Sequence, residues 1–101
     1  MYARVSQFEL GGASRDDAVR AFESTRETVE QMPGIQAAFL LVDPDGGKAL
    51  TITLWESEDA LRATAEQARA VRERSASGAG LTEGAVESYE VAVQFGLGSG
   101  A

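Results

Sequence analysis

The stretch Ile35-Gln36-Ala37-Ala38-Phe39-Leu40-Leu41-Val42-Asp43-Pro44-Asp45-Gly46-Gly47-Lys48-Ala49-Leu50-Thr51-Ile52-Thr53-Leu54-Trp55 decides how this chain folds. Residues 35–43 are almost continuously apolar and read as a strand buried on both faces. Asp43 to Gly47 follows, rich in residues that tolerate turn dihedrals. A second strand, Ala49 to Trp55, begins at once, so the two strands form a hairpin. Asp43, Asp45 and Gly46 are spaced like the opening of a calcium loop. The later acidic ligands of such a loop are missing, so the segment is a turn.

The flanking sequence supplies helices. Upstream, Pro33-Gly34 stops a stripe of Ala18, Phe22, Thr25, Val29 and Met32, whose steps of four and three mark one amphipathic helix. Ser14, three residues before Asp17, starts that helix with a capping-box pattern. Glu23, Glu27 and Glu30 fall off the stripe and read as a solvated face rather than a cation site. Before it, Tyr2 to Leu10 is a strand closed by Gly11-Gly12. Downstream, Ser57 caps a second helix with Glu58 and Asp59 in its first turn. Its inner stripe is Leu61, Ala65, Ala68 and Val71, and Arg69, Arg72 and Arg74 gather toward its C-terminal end, where the dipole favours them. Ser75 to Gly84 reads as a small-residue loop. Gly78-Ala79-Gly80 within it lacks the Gly-Lys-Ser/Thr of a phosphate loop and reads as a connector, or a lid over the cleft between helix and sheet. Val86 to Phe95 is the last strand, within a single domain over residues 1–95. Residues 96–101 read as a flexible tail.

Composition removes several functions. The 101 residues include no cysteine, no histidine and no asparagine. No disulfide frame, thiolate zinc site, iron–sulfur cluster or histidine-based catalytic pair can be built, and no metal is expected. Nine Lys+Arg stand against 16 Asp+Glu, a net charge of −7. That balance argues against nucleic acid, and the single lysine, Lys48, leaves no basic stripe for an anionic membrane. No apolar run approaches the roughly 20 residues that span a bilayer. The alternating N-terminus lacks a signal-peptide core, so a soluble cytoplasmic protein is expected. With 44% apolar residues the chain can bury one core.

The order strand-helix-strand-strand-helix-strand predicts an α+β ferredoxin-like βαββαβ fold, a four-stranded antiparallel sheet with both helices on one face. Apolar residues fall on both strand parities. Leu50, Ile52, Leu54, Val91 and Val93 lie on one, and Phe8, Phe39, Leu41 and Trp55 on the other. A face left without helices would expose more apolar surface than a soluble monomer tolerates, so a homodimer is expected. The parity of Trp55, which includes Thr53 and Ala92, is taken to face the partner.

Leu41-Val42-Asp43 and Thr51-Ile52-Thr53-Leu54-Trp55-Glu56-Ser57-Glu58-Asp59-Ala60-Leu61, after a Pro-Gly helix stop and a hairpin, resemble the antibiotic biosynthesis monooxygenase-like family, over about residues 2–95. The resemblance implies a dimeric α+β barrel. It also implies one of two roles: a cofactor-independent monooxygenase acting on aromatic or quinol substrates, or a non-catalytic homodimeric module that binds a small ligand or regulates a partner. Haem-degrading members of that superfamily use a histidine and a tryptophan on the second helix and an asparagine on the first strand. None of these carries over to a position here. No cofactor is expected.

For oxygenation of a substrate anion by dioxygen, a dry pocket and a few donors suffice. Arg4, Trp55 and Tyr89 are the catalytic candidates, with Phe8, Phe22 and Phe39 as substrate-binding walls. Each has a plainer alternative. Trp55 stacks on a ligand or lids the core; Arg4 clamps substrate or pairs with Glu90 across the sheet. Tyr89 serves the anion or packs with its hydroxyl in solvent. The Ala-rich second helix either sits close on the sheet or leaves volume for a ligand.

Overall fold

A computed structural model describes residues 1–43, 45 and 47–96. The elements run β1 (Tyr2–Glu9), α1 (Arg15–Glu23), α2 (Arg26–Glu30), β2 (Ile35–Asp43), β3 (Lys48–Trp55), α3 (Glu58–Ala63), α4 (Ala65–Ala79) and β4 (Thr82–Glu90). The strands form one antiparallel sheet in the order β2-β3-β1-β4, the expected ferredoxin-like α+β arrangement with helices on one face. The sheet is open, not a closed barrel, with β2 and β4 as its edges. Pro44 and Gly46 of the expected turn, and the expected tail beyond Gly96, lie outside the described residues. At the turn, Asp45 N–H donates to Asp43 Oδ1 at 3.0 Å.

Each expected helix is two. The capping box forms: Asp17 N–H donates to Ser14 Oγ at 3.1 Å and Ser14 N–H to Asp17 Oδ2 at 2.9 Å. The stripe is then interrupted because Ser24 Oγ donates to Ala21 O and Thr25 Oγ1 to Phe22 O, drawing carbonyls away from the helical ladder. Thr64 does the same between α3 and α4, donating to Ala60 O at 2.8 Å and to Leu61 O at 3.3 Å.

The expected loop from Ser75 is helix as far as Ala79, so neither a connector nor a lid forms at Gly78-Ala79. Small residues do not stop a helix; Gly80 does, at φ 74°, with Leu81 N–H reaching back to Ala76 O at 2.9 Å. The arginines expected at a helix end are therefore mid-helix, where Arg69 lies 3.8 Å from Glu66 and 3.7 Å from Glu73. The last strand is shifted for a related reason. Thr82 and Glu83 pair with Glu9 and Phe8, so β4 starts early. It ends at Glu90 because β1 runs out; beyond it, Val91 N–H donates to Met1 O at 2.9 Å.

Strand register assigns the faces. Arg4 pairs with Thr53 and Ser6 with Thr51, and Phe8 with Ala49; Thr53 in turn pairs with Ala38. These side chains point toward the helices. Val5, Ile52 and Phe39 are aligned on the opposite, helix-free face, together with Leu41, Leu50 and Leu54. Phe39 and Leu41 thus belong with Leu50 and Ile52, not with Trp55, and Thr53 faces the helices, not a partner. β2 is an edge strand with Phe39 40% and Leu41 47% exposed, so it is not buried on both faces.

Two apolar clusters hold the helices to the sheet. Phe8, Leu10, Ala18, Ala49 and Ala76 form one. Met32, Trp55, Leu61 and Val71 form the other. Between them, in the middle of the helix-facing surface, lie Arg4, Ser6, Thr51 and Thr53. The second cluster is set by Gly34, whose carbonyl accepts from Glu56 N–H at 2.9 Å and joins the start of β2 to the end of β3. Gly34 has φ 84°, and a Cβ there would overlap Ala60 Cβ and meet Glu56 Cγ at 3.3 Å. Gly34→Ala is expected to destabilise the fold by about 2–4 kcal/mol, the left-handed backbone and the overlap adding together, read as a lower urea midpoint at unchanged m.

Candidate functional site: an arginine-floored cavity

The gap between the two clusters is a cavity of about 410 Å3. Its floor is the polar centre of the sheet, Arg4, Ser6, Thr51 and Thr53. Its walls are Phe8, Phe22, Val29, Met32, Trp55 and Val71. Ala68 also lines it, so the small-residue stripe of the second helix leaves volume instead of closing on the sheet. The mouth is set by the break between α1 and α2, where exposed Arg26 holds Glu23 at 2.8 Å and Glu30 at 3.7 Å. Those two glutamates are the carboxylates expected on a solvated face, and both are engaged by Arg26.

Arg4 is the unusual residue. It is 5% exposed, on a central strand, and among the described residues no carboxylate lies within ion-pair distance of it. Its Nη2 donates to Leu61 O, a carbonyl that also accepts from Thr64 Oγ1 at the break between α3 and α4. Its guanidinium sits 5.1 Å from the centre of the Trp55 ring, a cation–π contact. Its Nη1 is buried with no hydrogen-bond partner. Burial pulls the Arg4 pKa below its usual value, and the nearby charge of Arg72 pulls the same way.

Arg72, on α4, lines the same cavity. Its Nε is likewise buried without a hydrogen bond, with Glu83 Oε1 at 3.8 Å. Burial lowers its pKa while Glu83 and Glu73 oppose the shift. An acidic protein therefore carries a cavity whose deep end is positive.

Of the sequence candidates, the fold brings together Arg4, Trp55, Phe8 and Phe22. Trp55 is a core residue that also borders the cavity. It is 1% exposed within the second cluster, its Nε1 donates to Thr53 Oγ1 at 3.0 Å, and it lines the cavity. Phe39 is not a wall, because register turns it to the helix-free face. Tyr89 is not in the cavity either. It pairs with Ala3, so it too lies on the helix-free face, 52% exposed, with its hydroxyl pKa raised by the hydrogen bond and charge of Glu87. The expected Arg4–Glu90 pair does not form; Ser88 is opposite Arg4, and Glu90 is opposite Tyr2.

Arg72, Thr51 and Thr53 do not stand out as site residues in the sequence. The signal for Arg72 is its spacing of four from Ala68 on the inner stripe. For the threonines it is a polar run on the same parity as Trp55.

The fold and cavity define the class: a ferredoxin-like domain with a cleft between its sheet and helices. The chain belongs to the antibiotic biosynthesis monooxygenase family, whose model matches residues 1–73. Among solved structures it is similar to the cofactor-independent oxygenase SnoaB of Streptomyces nogalater, with 18% identity, a TM-score of 0.68 and 96% of each chain covered. It is also similar to the ActVA-Orf6 monooxygenase of Streptomyces coelicolor, solved with nanaomycin D: 19% identity, TM-score 0.64, covering 94% of this chain and 92% of that one. A third similar structure is the haem degrader MhuD of Mycobacterium tuberculosis, with two haems bound: 21% identity, TM-score 0.75, covering 95% and 100%. No curated protein sequence matches the chain.

Haem does not fit the donor set. The cavity is lined by guanidiniums, hydroxyls, two tethered carboxylates and one thioether, Met32, without the imidazole, thiolate or phenol that anchors haem iron. Among the described residues no helix is long and apolar enough to cross a membrane.

A buried cation lacking a carboxylate partner is held at a cost in stability. Arg4→Met is expected to leave the fold intact and raise its stability by about 1 kcal/mol, measured by urea unfolding. A loss above about 2 kcal/mol would mean that Arg4 is a structural residue.

Proposed function

We propose that this chain is an oxygenase that converts an electron-rich phenol or quinol to a quinone with dioxygen, the substrate itself supplying the electrons. The observation that carries the reading is the unpartnered Arg4 Nη1 at the floor of an aromatic-walled cavity. A flat ring entering past Phe22 and Val29 is desolvated against Trp55. The positive deep end favours its anion over the neutral phenol. No general base is required in the walls, because the field of Arg4 and Arg72 lowers the pKa of the phenol and the proton leaves through the mouth to water. The anion passes one electron to dioxygen. The resulting radical and superoxide couple at a ring carbon that bears hydrogen. Loss of that hydrogen as a proton, with O–O cleavage, leaves a carbonyl and releases water. The net change is C–H plus phenol O–H plus O2 to quinone plus H2O. The family match, and the naming of SnoaB and ActVA-Orf6 as oxygenases, point the same way.

A second reading, ligand binding without turnover, is favoured by the tethering of both cavity carboxylates to Arg26, which leaves the walls poor in proton-transfer groups. Dioxygen uptake across a panel of quinols and anthrones separates the two. The oxygenase reading expects uptake matched one to one by quinone, with kcat/KM lowered about 100-fold in Arg4→Met. No uptake with any member sinks it.

The chain is further proposed to act as a homodimer through the helix-free face. Phe39, Leu41 and Tyr89 are exposed there over half-buried Val5, Ile52 and Leu54. Val93 and Phe95, beyond β4, are 73% and 86% exposed. That is more contiguous apolar area than a monomer usually leaves in water. Ile52→Lys, at the centre of that face, is expected to give monomers in sedimentation velocity. Thr53→Lys, one residue on but facing the cavity, is expected to leave the dimer intact. Dimers of Ile52→Lys as stable as the unsubstituted protein would refute this interface.

A further inference from the structure

Two arginines converge on one small cavity, and each presents a buried nitrogen with no hydrogen bond: Arg4 Nη1 and Arg72 Nε. Leaving one such group unsatisfied is costly, and leaving two of the same charge side by side is more so. Among the described residues the pair is only partly compensated, Arg72 by the ion pair with Glu83 and Arg4 by no carboxylate. Leu61 O takes only Nη2 of Arg4, Glu83 stands 3.8 Å from Arg72 Nε, and the two glutamates at the mouth are held by Arg26. An anion between the two guanidiniums would satisfy both nitrogens.

The chemistry of the surroundings narrows which anion. A ligand already charged at neutral pH fills the site without first having to lose a proton through the mouth. It must offer oxygens to two guanidiniums approaching from different elements, β1 and α4. It must also be attached to an apolar body, because Phe22, Val29, Met32, Trp55 and Val71 form the rest of the wall. A phenol meets the last condition but is neutral in water. A carboxylate on an aromatic ring system meets all three, with one oxygen for each arginine.

We infer that the deep end of the cavity is a carboxylate subsite, and that the ligand is an aromatic acid anchored by Arg4 and Arg72 with its ring held against Trp55. This subsite rests on the oxygenase reading only for its choice of ring. The arginine pair then has a second role, because by anchoring a fixed substituent it decides which ring carbon faces the mouth. Arg72 is accordingly a specificity residue, and an aromatic acid is preferred over its neutral analogue even where no chemistry follows.

Trp55 is the sole tryptophan and lines the cavity, so its fluorescence reports occupancy directly. Naphthalene-2-carboxylate and the neutral, near-isosteric naphthalene-2-carboxamide are titrated into the intact protein. The acid is expected to bind about tenfold to 100-fold tighter, the range for a hydrogen bond to a charged group. That preference is expected to vanish in Arg4→Met and to fall at least about fivefold in Arg72→Gln, with amide binding little changed. Arg72 lies on α4 and outside both apolar clusters, so Arg72→Gln keeps the test available if Arg4→Met does not fold. Equal affinity for acid and amide, or an acid preference untouched in Arg72→Gln, overturns the subsite, as does binding of neither. Oxygen uptake with neutral quinols is the separate reading: uptake without acid preference refutes the carboxylate subsite alone, and acid preference without uptake refutes the oxygenase alone.

Discussion

A guanidinium taken out of water at the middle of a sheet, with no carboxylate beside it, is the constraint around which the rest of this structure is arranged. Arg4 cannot be packed over by aliphatic side chains, so the core divides into a cluster at each end of the sheet and leaves a polar centre of Ser6, Thr51 and Thr53. Its one strong internal hydrogen bond needs an accepting carbonyl on the helix layer. Leu61 O serves, one turn before the chain breaks at Thr64. The indole of Trp55 supplies the remaining compensation from its π face. A helix break that looks like a defect is thus part of what holds the cavity open.

The two faces of the sheet divide the work. The helix-facing side is short of apolar volume at its centre, which leaves the cavity. The opposite side is apolar along its middle, with Val5, Ile52, Phe39 and Leu54 in register across three strands, and polar at Gln7, Glu87 and the Glu9–Lys48–Asp43 end. One polypeptide has helices enough for one face only, so the cavity and the uncovered apolar face are set by the same alternation of side chains along the same strands. A one-residue slip of register would exchange them.

Much of the fold is legible in the residues. The capping box at Ser14, the stop at Pro33-Gly34, the hairpin and the Ser57 cap are local signals, and each holds because its physics is local. The misreadings have a common origin. Thr53 falls on the side opposite to that expected, and Phe39 and Leu41 part from Trp55, because alternation gives parity within a strand but not the registry between strands. The irregularity near Ile35 and Ala37 shifts β2 against β3, so that odd residues of β2 share a face with even residues of β3. The helix through Ser75–Ala79 is not legible because small residues are permissive, and tertiary packing of Ala76 chose the helix. The limits of β4 are those of its partner β1, so its own residues do not mark them. At the site, Arg4, Trp55, Phe8 and Phe22 are identifiable as chemistry-bearing types, whereas Tyr89 and Phe39 are equally plausible by type and fall elsewhere by register.

The amino-acid sequence alone determined the order of elements, the ferredoxin-like topology, the absence of any histidine or cysteine chemistry, and the excess of apolar side chains over what two helices can cover. These follow from local propensity and composition, which each segment carries with it. Only the tertiary structure decided which face the helices take, that Arg4 lacks a counter-ion among the described residues while Arg72 from a distant helix joins it, and that the Ala-rich helix leaves space instead of closing. Those outcomes depend on distances between segments far apart in the chain. Such distances are set by how all the side chains pack together, and no single stretch of residues encodes them.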